Sequence, residues 1–111
     1  MRRPKLRHTA KTADVAAVQT RLEAAIDRVA QLRTEASRRP DLPREVAERV
    51  LSLGQIAGEW NAIAAKGRVA AANRDRRLAA AFARDAQALL ERTEAELAEC
   101  QALMSVTEGL E

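Results

Sequence analysis

The chain has 111 residues, of which 47% are apolar and 2% aromatic, and its formal net charge is +3. This length allows one domain at most, and a core built mainly from alanine, valine, leucine and isoleucine is thin. One cysteine and one histidine exclude an intrachain disulfide and a multi-histidine metal cluster, and no apolar run approaches the roughly 20 residues of a membrane span.

Residues 1–13 contain five basic residues and no acidic one. Pro4 and the lack of a helical period favour a flexible arm, which either aids solubility or neutralises the phosphates of a nucleic acid. No hydrophobic segment follows, so we expect no secretory signal and predict a cytoplasmic protein. The basic residues of this arm are Arg2, Arg3, Lys5, Arg7 and Lys11.

A first helix is predicted from about Asp14 to about Arg38. Its apolar residues alternate between spacings of three and four, as at the a and d positions of heptads. Asp14 at the start and basic residues at the end both suit the helix dipole. The apolar seam consists of Val15, Val18, Leu22, Ala25, Val29, Leu32 and Ala36.

The next segment, residues 38–43, predicts a tight corner. Pro40 ends the first helix, Asp41 can cap a second one, and Pro43 fits inside a first turn. We therefore expect the second helix to start near Leu42 or Pro43 and to fold back on the first as an antiparallel hairpin.

The second helix continues the heptad pattern and contains three glycines. Gly54 and Gly58 lie four residues apart and indicate either a close backbone crossing or chance. Gly67 either ends the helix or lies inside a longer one, and we favour a bend or break near it. Trp60 is expected to anchor the core or an interface. The seam is Val46, Val50, Leu53, Ala57, Trp60 and Ala64.

A third helix is predicted over roughly Val69 to Met104, followed by a frayed acidic tail at residues 105–111. Its seam is Ala79, Ala83, Ala86, Leu90, Thr93, Leu97, Cys100 and Met104. The predicted fold is all-α: a coiled-coil-like antiparallel hairpin with a third long helix. Because the seams lack bulk, we expect a homo-oligomer that completes its core between copies. The principal seam residues are Val15, Val18, Leu22, Val29, Leu32, Val50, Leu53, Trp60, Phe82, Leu90 and Leu97.

Charge is segregated in the second half of the chain. Residues 62–84 hold six basic residues and one acidic one, whereas residues 85–111 hold seven acidic residues and one basic one. The basic cluster is either an ordinary solvated face or a phosphate-binding surface, and Arg74, Arg77 and Arg84 are predicted to share one helix face. The acidic region suits a basic partner or the basic half of a neighbouring copy. The cluster comprises Lys66, Arg68, Arg74, Arg76, Arg77 and Arg84.

No catalytic pattern stands out. The phosphate-cradling glycine motifs are absent, and His8 in the basic arm is the single histidine available for a dyad. We therefore predict a protein without catalytic activity, cofactor or metal. Two functions remain open: an oligomeric helical scaffold that binds DNA weakly and without sequence preference, and a protein–protein adaptor or chaperone with no nucleic-acid role.

The arrangement of a basic arm, a heptad pair over residues 14–64 and a charged C-terminal region resembles the small terminase subunits of tailed phages and phage-derived gene transfer agents. The resemblance implies a ring of helical hairpins, DNA contact through basic residues, and engagement of a large terminase or other packaging motor by the C-terminal part. The sequence departs from the family in showing no separate N-terminal DNA-binding domain and no β-rich C-terminal segment. These departures imply unselective DNA packaging.

Overall fold

A computed structural model describes the backbone of residues 3–109 and the side chains of residues 15–106. Over this range the chain forms four helices and no strand, so the predicted all-α class is confirmed. No described helix combines the length and apolar character that a membrane crossing requires. The helices are α1 (Arg3–Ser37), α2 (Arg44–Ser52), α3 (Gln55–Asn73) and α4 (Arg76–Gly109).

Ion pairs between the long helices define their directions. Arg21 Nη2 on α1 lies 2.6 Å from Glu94 Oε1 on α4, a separation of 73 residues in sequence. The amide oxygen of Gln101, assigned towards α1, accepts a hydrogen bond from Arg28 Nε at 2.7 Å, with the same separation. A constant separation means that α1 and α4 run parallel.

The other long pair is antiparallel. Lys66 Nζ on α3 lies 2.5 Å from Asp85 Oδ2 on α4, and Glu59 Oε2 on α3 lies 2.5 Å from Arg92 Nη2. The residue on α3 lies seven positions earlier in the second pair, and its partner on α4 lies seven positions later. This is the pattern of two antiparallel helices. The chain makes three passes, with α2 and α3 together forming the middle pass in sequence.

Helix α4 is the central helix in space. It packs against both α1 and α3, whereas α1 and α3 make few direct contacts with each other. The Cα atoms extend over 60 × 28 × 16 Å, as expected for helices laid side by side. The predicted hairpin therefore does not bring its two long helices into direct contact. Helix α4 lies between α1 and α3, and α2 packs against α1 at the corner.

The core lies along the seams that the heptads predict. The seam residues Val18, Leu22, Ala25, Val29, Leu32 and Ala36 of α1 are buried, together with Val50, Leu53, Trp60, Ala86, Leu90, Thr93, Leu97, Cys100 and Met104. The predicted seam residue Ala79 is exposed, and five others are only partly buried: Val15, Val46, Ala64, Phe82 and Ala83. Leu22, Leu32, Leu53 and Leu90 are each at most 2% exposed within one chain. These side chains are therefore buried by the residues of a single chain.

Helix α1 begins at Arg3, well before the predicted start near Asp14. The reason is that Pro4 occupies the first turn, where its missing N–H is not needed, and the lysine, arginine, leucine and alanine residues that follow favour helix. The predicted basic arm is thus helical in its backbone from Arg3 onwards. Its side chains, like those of all residues before Val15, lie outside the described part of the chain.

The corner is built differently from the prediction. Pro43 occupies the N-cap position of α2, with φ −55° and ψ 143°, and no side chain caps that helix. The carboxylate of Asp41 instead accepts a hydrogen bond from Arg39 Nη2 at 3.0 Å. Leu42 is buried, so its side chain packs the corner against the core.

A kink at Leu53 and Gly54 separates α2 from α3. Both residues stay in the right-handed region, but their N–H groups bond the carbonyls three residues back, which tightens the turn. The tighter turn shifts the seam, so Ile56 is buried and the predicted seam residue Ala57 is exposed. The heptad spacing did not predict this kink.

The glycines of α3 do not mark a backbone crossing. A Cβ atom on Gly54 would meet the guanidinium of Arg33 at 2.8 Å, and one on Gly58 would meet nothing within 4 Å. The predicted break near Gly67 is also wrong, because α3 runs through it to Asn73. The third long helix therefore starts at Arg76 instead of Val69, and it extends beyond Met104 to Gly109.

The actual break lies at Arg74 and Asp75. Arg74 adopts the left-handed conformation with φ 52° and ψ 41°, the one positive φ among described non-glycine residues. The N–H of Asp75 bonds the carbonyl of Ala70 at 2.9 Å, closing the end of α3. The carboxylate of Asp75 then accepts the N–H of Leu78 at 3.0 Å, which caps the start of α4.

Candidate nucleic-acid interface

Five arginines cluster at one end of the molecule, and we call this set the basic end. All five are exposed, and within the described part of the chain none of them forms an ion pair. They belong to the last turns of α3, the turn itself and the first turns of α4. The basic end consists of Arg68, Arg74, Arg76, Arg77 and Arg84.

Lys66, also predicted to bind nucleic acid, does not share this property. Its ammonium group pairs with Asp85 across the α3–α4 interface, and both side chains are about two-fifths exposed. Arg74 lies in the turn, so the predicted face shared by Arg74, Arg77 and Arg84 reduces to the last two, seven residues apart on α4. The remaining predicted residues, Arg2, Arg3, Lys5, Arg7 and Lys11, have side chains outside the described range.

The basic end coincides with the start of helix α4. No acidic residue occupies the first turn of α4, whereas Arg76 and Arg77 both lie there. Cations at the positive end of a helix dipole are unfavourable by about 0.3–1 kcal/mol each. The carboxylate of Asp75 at the N-cap offsets part of this cost.

The acidic residues of α4 are partly neutralised within the chain. Glu94 pairs with Arg21 of α1, and Glu99 pairs with Arg49 of α2 at 2.6 Å. The hydrogen bond from Arg49 to Glu99 raises the pKa of the Arg49 guanidinium. The two carboxylates thus hold neighbouring helices together, which leaves less of the predicted acidic surface for a partner.

An apolar groove opens beside the basic end, between the start of α4, the end of α3 and the part of α1 near Val15. It has a volume of about 610 Å³, and we call it the apolar groove. Its apolar lining includes Val15, Ala70, Ala79 and Phe82, and the charged residues Arg74, Asp75 and Arg76 also line it. Sequence reasoning missed this groove because it depends on the position of the break at Arg74.

No cluster that could act as a metal site occurs among residues whose side chains are described. Cys100 is fully buried, and burial raises the pKa of its thiol, while nearby Arg49 opposes the shift. The hydroxyl of Thr93, one heptad earlier, is buried without a hydrogen-bond partner. Both residues serve as seam positions at the centre of the bundle.

Comparison with known proteins returned no relative: no protein-family model, no curated protein and no solved structure matches the chain. The basic end and the apolar groove are therefore the features of the molecule that bear on its function.

Proposed function

We propose that this protein is a non-enzymatic, self-associating helical scaffold that binds the phosphate backbone of duplex DNA without sequence preference. The observation that carries the proposal is the basic end, where five exposed arginines lack acidic partners in the described structure. Elsewhere among the described residues, most arginines are paired with carboxylates, as Arg21 and Arg92 are, and two exposed ones, Arg33 and Arg38, are not. Unmatched cations concentrated at one end favour a polyanionic ligand.

The N-terminal basic segment supports the same site. Because α1 and α4 run parallel, α1 begins at Arg3 at the end of the molecule where α4 begins at Arg76. In sequence, residues 1–13 contain five basic residues and no acidic one, and we propose that this segment contributes to the same site. A surface rich in arginine and poor in aromatic residues contacts phosphates and does not read bases.

The test is a salt titration of binding to two unrelated duplexes, followed by fluorescence anisotropy. With five phosphate contacts, log K should fall with log salt concentration with a slope of about −4.5. Arg74→Gln with Arg77→Gln should reduce that slope by about 1.8. Deletion of residues 1–11 should also weaken binding and flatten the slope.

The matched control removes the same charge from the opposite end of the molecule. Arg33→Gln with Arg38→Gln alters two exposed arginines near the corner that form no ion pair in the described structure, and it should change the slope far less. Equal effects of the two double variants would overturn the assignment to the basic end. Absence of binding at low salt, or strong preference for one duplex, would overturn the DNA proposal altogether.

The apolar groove favours a second candidate, a helical adaptor or chaperone without a nucleic-acid role. Its floor is made of small and aromatic side chains, which suit a partner helix. Under the first proposal, the resemblance to small terminase subunits suggests that bound DNA is handed to a packaging motor contacted through the acidic C-terminal region. Under the adaptor proposal, DNA binding would be absent while self-association or partner binding remained.

A further inference from the structure

We propose that the apolar groove binds a small amphipathic anion, a molecule with a single hydrocarbon chain and a carboxylate head. The head would lie at Arg74 and Arg76, and the hydrocarbon would lie along the alanine-rich lining between the helices. This inference goes beyond the proposed function, because it depends neither on DNA binding nor on self-association.

The groove is an end of the bundle where the side chains are too small to fill the interior. Farther along the molecule, large buried side chains such as Leu22, Trp60 and Leu90 fill the space between the helices. Among the described residues that line the groove, α3 contributes only glycine and alanine. The unfilled volume of about 610 Å³ is within the range of about 300–1,000 Å³ that is typical of sites for small ligands. These residues of α3 are Gly67, Ala70 and Ala71.

The lining is apolar and accessible to a ligand. Val15 and Phe82 are only partly buried, and Ala16, Ala71 and Ala79 are exposed. A hydrocarbon chain that covered these side chains would remove apolar surface of both molecules from water, which is the main favourable term for such a ligand. The hydrocarbon part of the ligand is therefore assigned to this lining.

The size of the groove favours a hydrocarbon chain over a partner helix. A helix is about 10 Å across and rises 5.4 Å per turn, so one turn occupies about 420 Å³. The groove would therefore take fewer than two turns of a helix, whereas a single hydrocarbon chain is thin enough to be enclosed along much of its length.

The charged residues of the lining favour a monoanionic head. Arg74 and Arg76 are exposed and form no ion pair with a described residue. Asp75 also lines the groove, but its carboxylate already accepts the N–H of Leu78 at 3.0 Å. Two cations and one hydrogen-bonded anion leave a single positive charge, which matches one carboxylate. Guanidinium groups bind carboxylates through paired N–H donors.

Isothermal titration calorimetry with dodecanoate below its micellar concentration tests the site. We expect about one molecule to bind per chain, and dodecyltrimethylammonium, a cation with the same hydrocarbon chain, to bind about tenfold more weakly. Equal affinity for the two amphiphiles would overturn the assignment of the head to the arginines.

A variant that fills the groove separates this site from adsorption elsewhere on the surface. Ala79→Leu should weaken dodecanoate binding by about tenfold or more, because the added side chain occupies the space of the hydrocarbon. Its midpoint of urea denaturation should not fall, since the change fills an existing space. Ala80→Leu adds the same side chain at an exposed position of α4 outside the groove and should leave the affinity unchanged. Ala71→Leu replaces Ala79→Leu if the latter is destabilised.

Neighbouring arginines of α4 provide a matched pair for the head. Arg76→Gln should weaken dodecanoate binding by about threefold to tenfold, because it removes a charge-assisted hydrogen bond. Arg77→Gln removes the same charge one residue later, at an exposed position that does not line the groove, and should leave the affinity unchanged.

The outcomes are independent of the proposed function. Absence of binding by the wild type at about 1 mM dodecanoate, or binding that Ala79→Leu leaves intact, would overturn the ligand site and leave DNA binding untouched. In the DNA titration, Ala79→Leu should keep the wild-type salt slope, whereas Arg77→Gln should reduce it by about 0.9. Failure of the DNA proposal would therefore appear in Arg77→Gln, and failure of the ligand site in Ala79→Leu.

Discussion

The ring of Phe82 on α4 lies directly against the backbone of Gly67 on α3. A Cβ atom built on Gly67 would be 2.8 Å from Cε1 of that ring, closer than side chains normally approach. The rings of Phe82 and Trp60 are also in contact, with centroids 6.3 Å apart and planes inclined by 32°. Gly67 therefore lies within helix α3, and because it has no side chain, the ring of Phe82 can pack against it.

Replacing Gly67 by alanine should destabilise the fold despite the better helix propensity of alanine. The clash with Phe82 costs about 1–3 kcal/mol, against a propensity gain of about 1 kcal/mol. Gly58→Ala is the matched control, because its Cβ would meet nothing within 4 Å, and it should stabilise by about 0.5–1 kcal/mol. Urea denaturation of both variants checks the prediction, and equal effects would contradict the packing role of Gly67.

The seams of α1 and α4 could be predicted from sequence because their residues repeat without interruption at heptad spacings. Leu22 and Leu90, for example, are both almost fully buried, as their seam positions indicate. The breaks could not be predicted in the same way. From sequence, a positive φ at the end of a helix is expected at glycine, but here it occurs at Arg74. Gly67 instead makes room for Phe82, which lies fifteen positions away in the chain.

The residue types of the candidate site could be predicted from the sequence, but the arrangement of their side chains could not. Clustering of basic residues identified the region around Arg74 to Arg84, which the structure places at one end. The ion pair between Lys66 and Asp85 depends on the register of α3 against α4. The spacing of residues within a single helix does not predict that register. The apolar groove likewise depends on the break at Arg74 and on the parallel course of α1.

Asp75 should contribute to stability as the cap of α4. Asp75→Ala removes the acceptor for the N–H of Leu78 and should lower the free energy of unfolding by about 1 kcal/mol. Asp75→Asn retains an acceptor oxygen and should stay within about 0.3 kcal/mol of the wild type. Thermal denaturation distinguishes the two, and an unaffected Asp75→Ala chain would show that the cap is dispensable.

Arg77 should have opposite effects on stability and DNA binding. Arg77→Glu puts a favourable charge in the first turn of α4 and should stabilise the fold by about 0.5–1 kcal/mol at low salt. The same change removes one phosphate contact and introduces repulsion, so DNA affinity should fall. Denaturation and anisotropy on one preparation check both effects. A chain weakened in both properties would indicate a structural role for Arg77.

Cys100 should be unreactive in the native protein, because it is fully buried and burial raises the pKa of its thiol. A thiol-specific reagent should modify it rapidly only after denaturation. Since the unfolded chain releases the thiol proton first, the stabilising contribution of Cys100 is complete below a pH of about 8.5 and is lost as pH rises further. The stability difference between wild type and Cys100→Ala should therefore shrink at alkaline pH, and a constant difference would contradict this account.

The central place of α4 governs when the chain can fold during synthesis. Helices α1, α2 and α3 leave the ribosome first, yet α1 and α3 make few contacts with each other, so Leu22, Leu32 and Trp60 remain without most of their packing partners. The core forms only once α4, the last of the described helices, is available between them. We therefore expect a fragment of residues 1–75 to expose its apolar seams and aggregate, because the core forms only after α4 has been synthesised.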